Sequence, residues 1–136
     1  MKGTVLYEVR DEVAILTVDN PPVNPLSDGV RSGLYDSLIK AEEDDSVKAV
    51  VLTGNGRAFI AGADISEFGG NVEGTPLNEV FAKLESCTKP VIAAINGVAL
   101  GGGLETALCC NYRIAAKTAF VGLPEVNLGL LPGGGG

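Results

Sequence analysis

The chain contains no histidine among its 136 residues. Ser-His-Asp and Cys-His catalytic arrangements therefore cannot be assembled from it, and neither can an HExxH zinc site. Without a metal, proton transfer would fall to Asp, Glu, Lys, Tyr or Cys. Tryptophan is absent too, and aromatic residues make up only 5% of the chain, so the core must rest on Val, Ile, Leu and Ala. The three cysteines, Cys87, Cys109 and Cys110, are odd in number and form no CxxC. They suggest neither a disulfide framework nor a zinc site and read as buried thiols of a reducing compartment. Positive charge is also scarce: 10 Lys and Arg against 17 Asp and Glu give a net charge of −7. That argues against nucleic acid, whose binding depends on cations that neutralise phosphates, and against an anionic membrane surface. An anionic small molecule can still be held by backbone N–H groups. The most apolar stretch, Val91 to Leu104, is broken by glycine and too short to span a bilayer. The N-terminus mixes Lys2, Glu8, Arg10, Asp11 and Glu12 with apolar residues, unlike a signal peptide. No membrane span and no secretion are expected.

With 46% hydrophobic and 20% charged residues, the composition is that of one globular domain. Thr4 to Val9 and Val13 to Val18 read as β-rich strands around the turn Arg10-Asp11-Glu12. Val30, Leu34, Leu38 and Ala41 then recur at helical spacing, with Ser27 or Asp28 able to cap the helix. The acidic run Glu42 to Asp45 reads as a solvated loop. Ala49 to Thr53 and Val91 to Ile95 are apolar runs expected of strands covered on both faces. Between them lie a short helical turn near Ser66 to Phe68, a polar stretch from Gly69 to Asn71, and a helix with Leu77, Val80, Phe81 and Leu84 on one stripe. Asn96 to Gly103 reads as a glycine-rich loop opening a helix at Leu104 to Leu108, followed by short strands at Asn111 to Ala115 and Ala119 to Gly122. The alternation predicts an α/β layered fold. The run Gly133 to Gly136 after Pro132 is expected of a chain cut inside a loop.

Four features could carry chemistry. Gly101-Gly102-Gly103 joins a buried strand to a helix, where backbone N–H groups lack partners and could serve an anion or a developing oxyanion. It fits neither a P-loop, which needs Lys after its second glycine, nor a Rossmann fingerprint, whose third glycine is replaced by Thr106. Close helix–strand packing explains the glycines equally well. Glu105 sits in the first turn of that helix among Leu104, Ala107 and Leu108, so it is either a helix-dipole partner or a desolvated general acid/base. Glu125, after Pro124, taken alone reads as an exposed turn carboxylate. Ala61 to Ile65 again leads from a strand through glycine into a helical turn and could present a second N–H donor, with Asp64 an ordinary helix-start residue otherwise.

The stretches Arg57 to Ile65, Lys89 to Glu105 and Leu123 to Gly133, in this order and spacing, resemble the enoyl-CoA hydratase/isomerase, or crotonase, family. The resemblance implies a spiral of β-β-α repeats of which residues 1–136 form roughly the N-terminal half, truncated at its C-terminal end, in proteins that usually form trimers. It implies an oxyanion hole from the N–H groups of Ala63 and Gly102 for a thioester carbonyl, with Glu105 and Glu125 as the acid/base pair. Family hydratases carry both glutamates, whereas isomerases often keep only the later one, so reversible hydration of a trans-2-enoyl-CoA to a 3-hydroxyacyl-CoA is the expected reaction. A Δ3-Δ2 isomerase or a non-catalytic acyl-CoA-binding module are the alternatives. Coenzyme A enters as part of the acyl-CoA substrate, no separate cofactor or metal being expected. Val23, Asn24, Pro25, Ala61, Gly62, Asp64 and Ile65 would line its site. The wording around Asn111 to Ala115 and Gly122 to Val126 is similar to hydratase modules that open multifunctional β-oxidation proteins. A cytoplasmic setting is expected, or a matrix or peroxisomal one in a eukaryote.

Overall fold

The structure, a computed structural model, describes residues 1–67, 69–70 and 72–136. The expectations for Phe68 and Asn71 lie outside the described residues. Strands β1 (Thr4–Arg10) and β2 (Val13–Asp19) form an antiparallel hairpin, and helix α1 (Asp28–Glu43) follows. From there the chain repeats one pattern. β3 (Ala49–Gly54) and β4 (Ala58–Ile60) lead through a 3-10 turn, Ile65–Glu67, to α2 (Leu77–Ser86). β5 (Val91–Ile95) and β6 (Val98–Leu100) lead directly to α3 (Gly102–Leu108), and β7 (Tyr112–Ala115) and β8 (Val121–Gly122) lead to a second 3-10 segment, Pro124–Leu128. Each repeat places its first strand in a five-stranded sheet of order β1-β2-β3-β5-β7 and its second in a parallel three-stranded sheet of order β4-β6-β8. The β-β-α spiral is thus the observed architecture. The Ile65–Glu67 turn, α3 and the Pro124–Leu128 segment each begin within five residues of the end of a small-sheet strand, which is what gathers the site.

The core is aliphatic, as the lack of aromatics requires. Leu16, Val18, Val30, Leu34, Leu38, Val50, Leu52 and Leu84 are essentially inaccessible, and among the described residues Phe59 is the one large aromatic fully buried with them. The helix stripes fall as their periodicity predicts. Several expectations need correcting. The helix runs on through Glu43 rather than ending before the acidic run, because Glu42 pairs with Lys83 of α2 at 2.7 Å and is shielded there. Ser27 occupies the N-cap position, but its hydroxyl is spent on the Lys2 carbonyl and on Asn20. The N–H of Asp28 goes instead to Glu67 Oε1 at 3.0 Å. β3 and β5 alternate buried and half-buried positions, so one face of each is sealed and the other is partly covered. The glycine-rich run after Asn96 is not all loop: β6 lies inside it, paired with β4 and β8. Towards the end of the chain, Tyr112, Ile114, Phe120, Val126 and Leu128 are each about two-thirds exposed. Among the described residues, no helix is long and apolar enough to cross a membrane.

Candidate active site

A cavity of about 680 Å³ opens where the ends of β4 and β6 meet α2, α3 and the Pro124–Leu128 turn. Its walls include Ala61, Gly62, Ala63 and Ile65 after β4, Gly101, Gly102 and Glu105 at the start of α3, and Glu125. Local geometry explains why glycine stands at this junction. Gly101 has φ +53° and ψ −123°, a region that L residues avoid. A Cβ there would also lie 3.3 Å from Glu125 Oε1. A Cβ on Gly103 would collide with the Ile60 carbonyl, so α3 can rest on β4 only with glycine at that position. A Cβ on Gly102 would come within 3.8 Å of the Ala63 nitrogen. The two backbone donors therefore stand side by side. Among the described residues, neither N–H has a bonded acceptor, so both remain available to an oxygen in the cavity.

The two carboxylates are held differently. Glu105 is 4% exposed, and its Oε2 accepts the N–H of Gly134 and, at 3.1 Å, that of Gly136. The glycine tail thus lies across one oxygen of this carboxylate and fixes its orientation. Glu125 belongs to the Pro124–Leu128 turn, and both of its oxygens are buried with no hydrogen-bond partner among the described residues. A carboxylate desolvated without a partner is costly and is what a proton-transfer or water-binding role would require. The exposed-turn reading of Glu125 is therefore set aside: the turn folds back over Gly101 and carries the side chain inward.

The other candidate residues divide. Ala61, Gly62 and Ile65 line the cavity with Ala63, Gly102, Glu105 and Glu125. Val23, Asn24, Pro25 and Asp64 are not part of its wall. Asn24 is fully buried at φ +56°, and its amide is consumed by the carbonyls of Asn55, Ala58 and Phe59 and by the Asn20 N–H. Its work is to pin the loop after β2 against β4. Val23 is 46% exposed and meets that region through its carbonyl, which accepts the Ala61 N–H at 3.1 Å. Pro25 contributes its carbonyl to Asn20. Asp64 is buried and spent locally: the Ser66 hydroxyl, above all, and Lys2 hold its carboxyl below the usual range.

Sequence reasoning missed the apolar wall. Leu77, Phe81 and Ala82 of α2, with Leu100, Leu128 and Leu130, give the cavity an apolar side. Leu77 and Phe81 were visible only as a helix stripe, and that stripe serves both the core and the cavity. The cysteines take no part. Burial pushes Cys109 and Cys110 up to about 12, which makes them inert thiols.

A profile of the family described as enoyl-CoA hydratase/isomerase matches residues 8–136. The chain is 51% identical over 131 residues to a peroxisomal bifunctional enzyme of Danio rerio, covering 96% of this chain and 18% of that protein. It is 48% identical over 138 residues to a probable enoyl-CoA hydratase of Bacillus subtilis (strain 168), covering 96% of this chain and 54% of that one. Among solved structures, an enoyl-CoA hydratase of Polaromonas sp. JS666 superposes with a TM-score of 0.89 at 30% identity, over 98% of this chain and 56% of that chain. The chain thus spans about half the length of such single-module relatives and about a fifth of the bifunctional one. With a family profile spanning nearly its whole length and the repeat architecture of solved relatives, this chain belongs to the enoyl-CoA hydratase/isomerase family.

Proposed function

We propose that the site hydrates a trans-2-enoyl thioester of coenzyme A to the 3-hydroxyacyl thioester, reversibly. The observation that carries this reading is the placing of two buried carboxylates, Glu105 and Glu125, with two adjacent free N–H donors, Ala63 and Gly102, in one cavity. The thioester oxygen would sit between the two N–H groups. One carboxylate takes a proton from water as the water oxygen bonds to C3. The C2=C3 electron pair moves towards the carbonyl, and the oxyanion charge rests on the two donors. The enolate then collapses as a proton reaches C2, so that H and OH have added across the double bond. Glu105, held by the glycine tail, orients and activates the water. Glu125, free of partners, gives a proton to C2, and the proton that Glu105 took from water replaces it, so the pair is restored and one water has been consumed. The apolar face of α2 receives the acyl chain. The coenzyme lies along Ala61, Gly62 and Ile65, on a loop that Asn24 and Asp64 shape from behind.

The names of relatives support a place in fatty-acid β-oxidation: one is a glyoxysomal fatty acid beta-oxidation multifunctional protein of Cucumis sativus. In a eukaryote, the peroxisomal and glyoxysomal relatives favour a peroxisomal setting. The test is loss of enoyl-thioester absorbance by the protein that carries this chain. Glu105→Gln and Glu125→Gln should each lower turnover by about 10²–10⁴. If both variants keep full activity, the assignment is wrong. If Glu105→Gln spares the shift of a 3-enoyl to a 2-enoyl thioester while hydration is never seen, the site is an isomerase.

A further inference from the structure

A buried cation stands behind the site, and the chemistry above does not use it. Arg31, in the first turns of α1, is 3% exposed. Its guanidinium spends four donors. Nη1 donates to the Leu26 carbonyl at 2.7 Å and to Glu67 Oε2 at 2.6 Å, Nη2 to the Glu73 carbonyl at 2.6 Å, and Nε to the Thr75 carbonyl at 3.0 Å. These acceptors lie in three separate segments: the loop before α1, the 3-10 turn after the oxyanion segment, and the approach to α2. Glu67 completes the tie by accepting the Asp28 N–H with its other oxygen. A lysine could not replace this fork, since the acceptors lie in different directions around a plane.

Leu26 connects this hub to the donors. Its N–H bonds to the Gly62 carbonyl at 2.8 Å, and it bridges Ala63 as a one-residue parallel ladder. Its side chain sits 3.1 Å from where a Cβ on Gly102 would be. Leu26 is 1% exposed, so it is wedged between Arg31 and both halves of the oxyanion hole. The approach to α2 is equally constrained: a Cβ on Gly74 would fall 2.9 Å from the Asp28 carbonyl, and Ser32 Oγ accepts the Thr75 N–H at 3.0 Å.

We propose that Arg31 is a positioning residue: through Leu26 and Glu67 it holds the Ala61–Glu67 segment so that the Ala63 N–H stays beside Gly102 and aimed into the cavity. The inference deepens the proposed function and rests on it for its catalytic consequence. Its structural content can be read separately. Hydrogen exchange of Arg31→Gln should be at least about 10-fold faster in peptides covering residues 61–67 and 73–77, with β1, β2 and β3 unchanged. In the same variant, binding of a conjugated aryl-enoyl thioester of coenzyme A should stay within about 3-fold, while the red shift that carbonyl polarisation gives its absorbance should fall by half or more. The kcat for hydration should fall about 10–100-fold with KM little moved, since misplacing a reacting group by about 1 Å costs that much. Arg31→Lys should recover only part of both losses. Glu67→Gln, which keeps a neutral acceptor, should show the same pattern more weakly. Unchanged exchange at residues 61–67 in Arg31→Gln overturns the proposal, as does kcat within 2-fold of the parent with the full red shift. Loss of cooperative melting in all three variants would also overturn it, by making Arg31 a prop of the whole fold. If the parent neither turns over nor shifts the probe, the functional reading fails, and the exchange result alone decides whether Arg31 holds the segment.

Discussion

Replacing Gly101 by alanine separates backbone strain from crowding at the Glu125 carboxylate. The residue stands at φ +53°, ψ −123°, where a Cβ meets its own backbone, and such a conformation costs a non-glycine residue about 1–3 kcal/mol. The added methyl would also stand 3.3 Å from Glu125 Oε1 and 3.6 Å from its Cδ. Either the carboxylate moves or the β6–α3 junction does. In the parent, the Gly101 N–H bonds to the Gly122 carbonyl at 2.9 Å, and its own carbonyl accepts the Glu105 N–H at 3.0 Å. A junction shift would therefore pull on both glutamates. Gly56→Ala is the matched control, because Gly56 has φ +78° with nothing within 4 Å of a new Cβ. It carries only the cost of a left-handed residue, about 1–2 kcal/mol. Thermal melting should show Gly101→Ala below the parent by roughly 3–15 °C, taking about 3–5 °C per kcal/mol at this chain length. Gly56→Ala should lie at the mild end of that range. Hydration should fall at least about 10-fold in Gly101→Ala and stay within about 2-fold in Gly56→Ala. A Gly101→Ala protein that melts within 1–2 °C of the parent, or that turns over normally, would refute the reasoning about this junction.

Other consequences can be checked on the same protein. Asn24→Ala takes its amide away from the Asn55, Ala58 and Phe59 carbonyls, of which Ala58 keeps only the longer bond from Asn96 at 3.3 Å, and should lower the unfolding free energy by about 2–4 kcal/mol in urea titrations. Native alkylation at mild alkaline pH should spare Cys109 and Cys110, whose thiols are pushed up to about 12 by burial. Half-buried Cys87 should react first, and all three should react in denaturant. Asp64 is held below its ordinary value by Ser66 and then Lys2. Its contribution is therefore full above the unfolded value of about 3.9 and is lost as pH falls through the lower folded value. Urea midpoints should drop across that acid range, and Asp64→Asn should flatten the drop. Unchanged pH dependence in that variant would remove Asp64 from the account.

Much of the fold was legible because periodicity and composition agreed. Thr4 to Arg10 and Val13 to Asp19 are β-branched runs around Asp11 and Glu12, both at positive φ, and Val30, Leu34 and Leu38 repeat at helical spacing on the buried side of α1. The elements missed were those whose local signal is weak. β6 is three residues long between glycines, and only its partners β4 and β8 make Val98 to Leu100 a strand. Glu42 reads as solvated until Lys83 arrives from α2, over forty positions away. Tertiary pairing decided both, and no window of sequence contains it.

The site shows the same division more sharply. Gly101, Gly102, Gly103 and Glu105 are contiguous, so one strand-to-helix junction carries their meaning, and the sequence alone could already pose donor against packing. In the structure the three glycines have different surroundings: Gly103 packs against Ile60, Gly102 stands beside Ala63, and Gly101 makes room for Glu125. Glu125 had no such context. An acidic residue after proline is normally solvated, and nothing within five positions says that this turn folds inward. Its two unpartnered oxygens are visible only once β8 has set the turn against β6. Arg31 was harder still, since its acceptors are backbone carbonyls of Leu26, Glu73 and Thr75 that no residue type advertises. Side chains that act on the substrate keep a chemical identity that can be read from sequence. Those that act by holding backbone do not, and the role proposed for Arg31 at the Ala61–Glu67 segment is of the second kind.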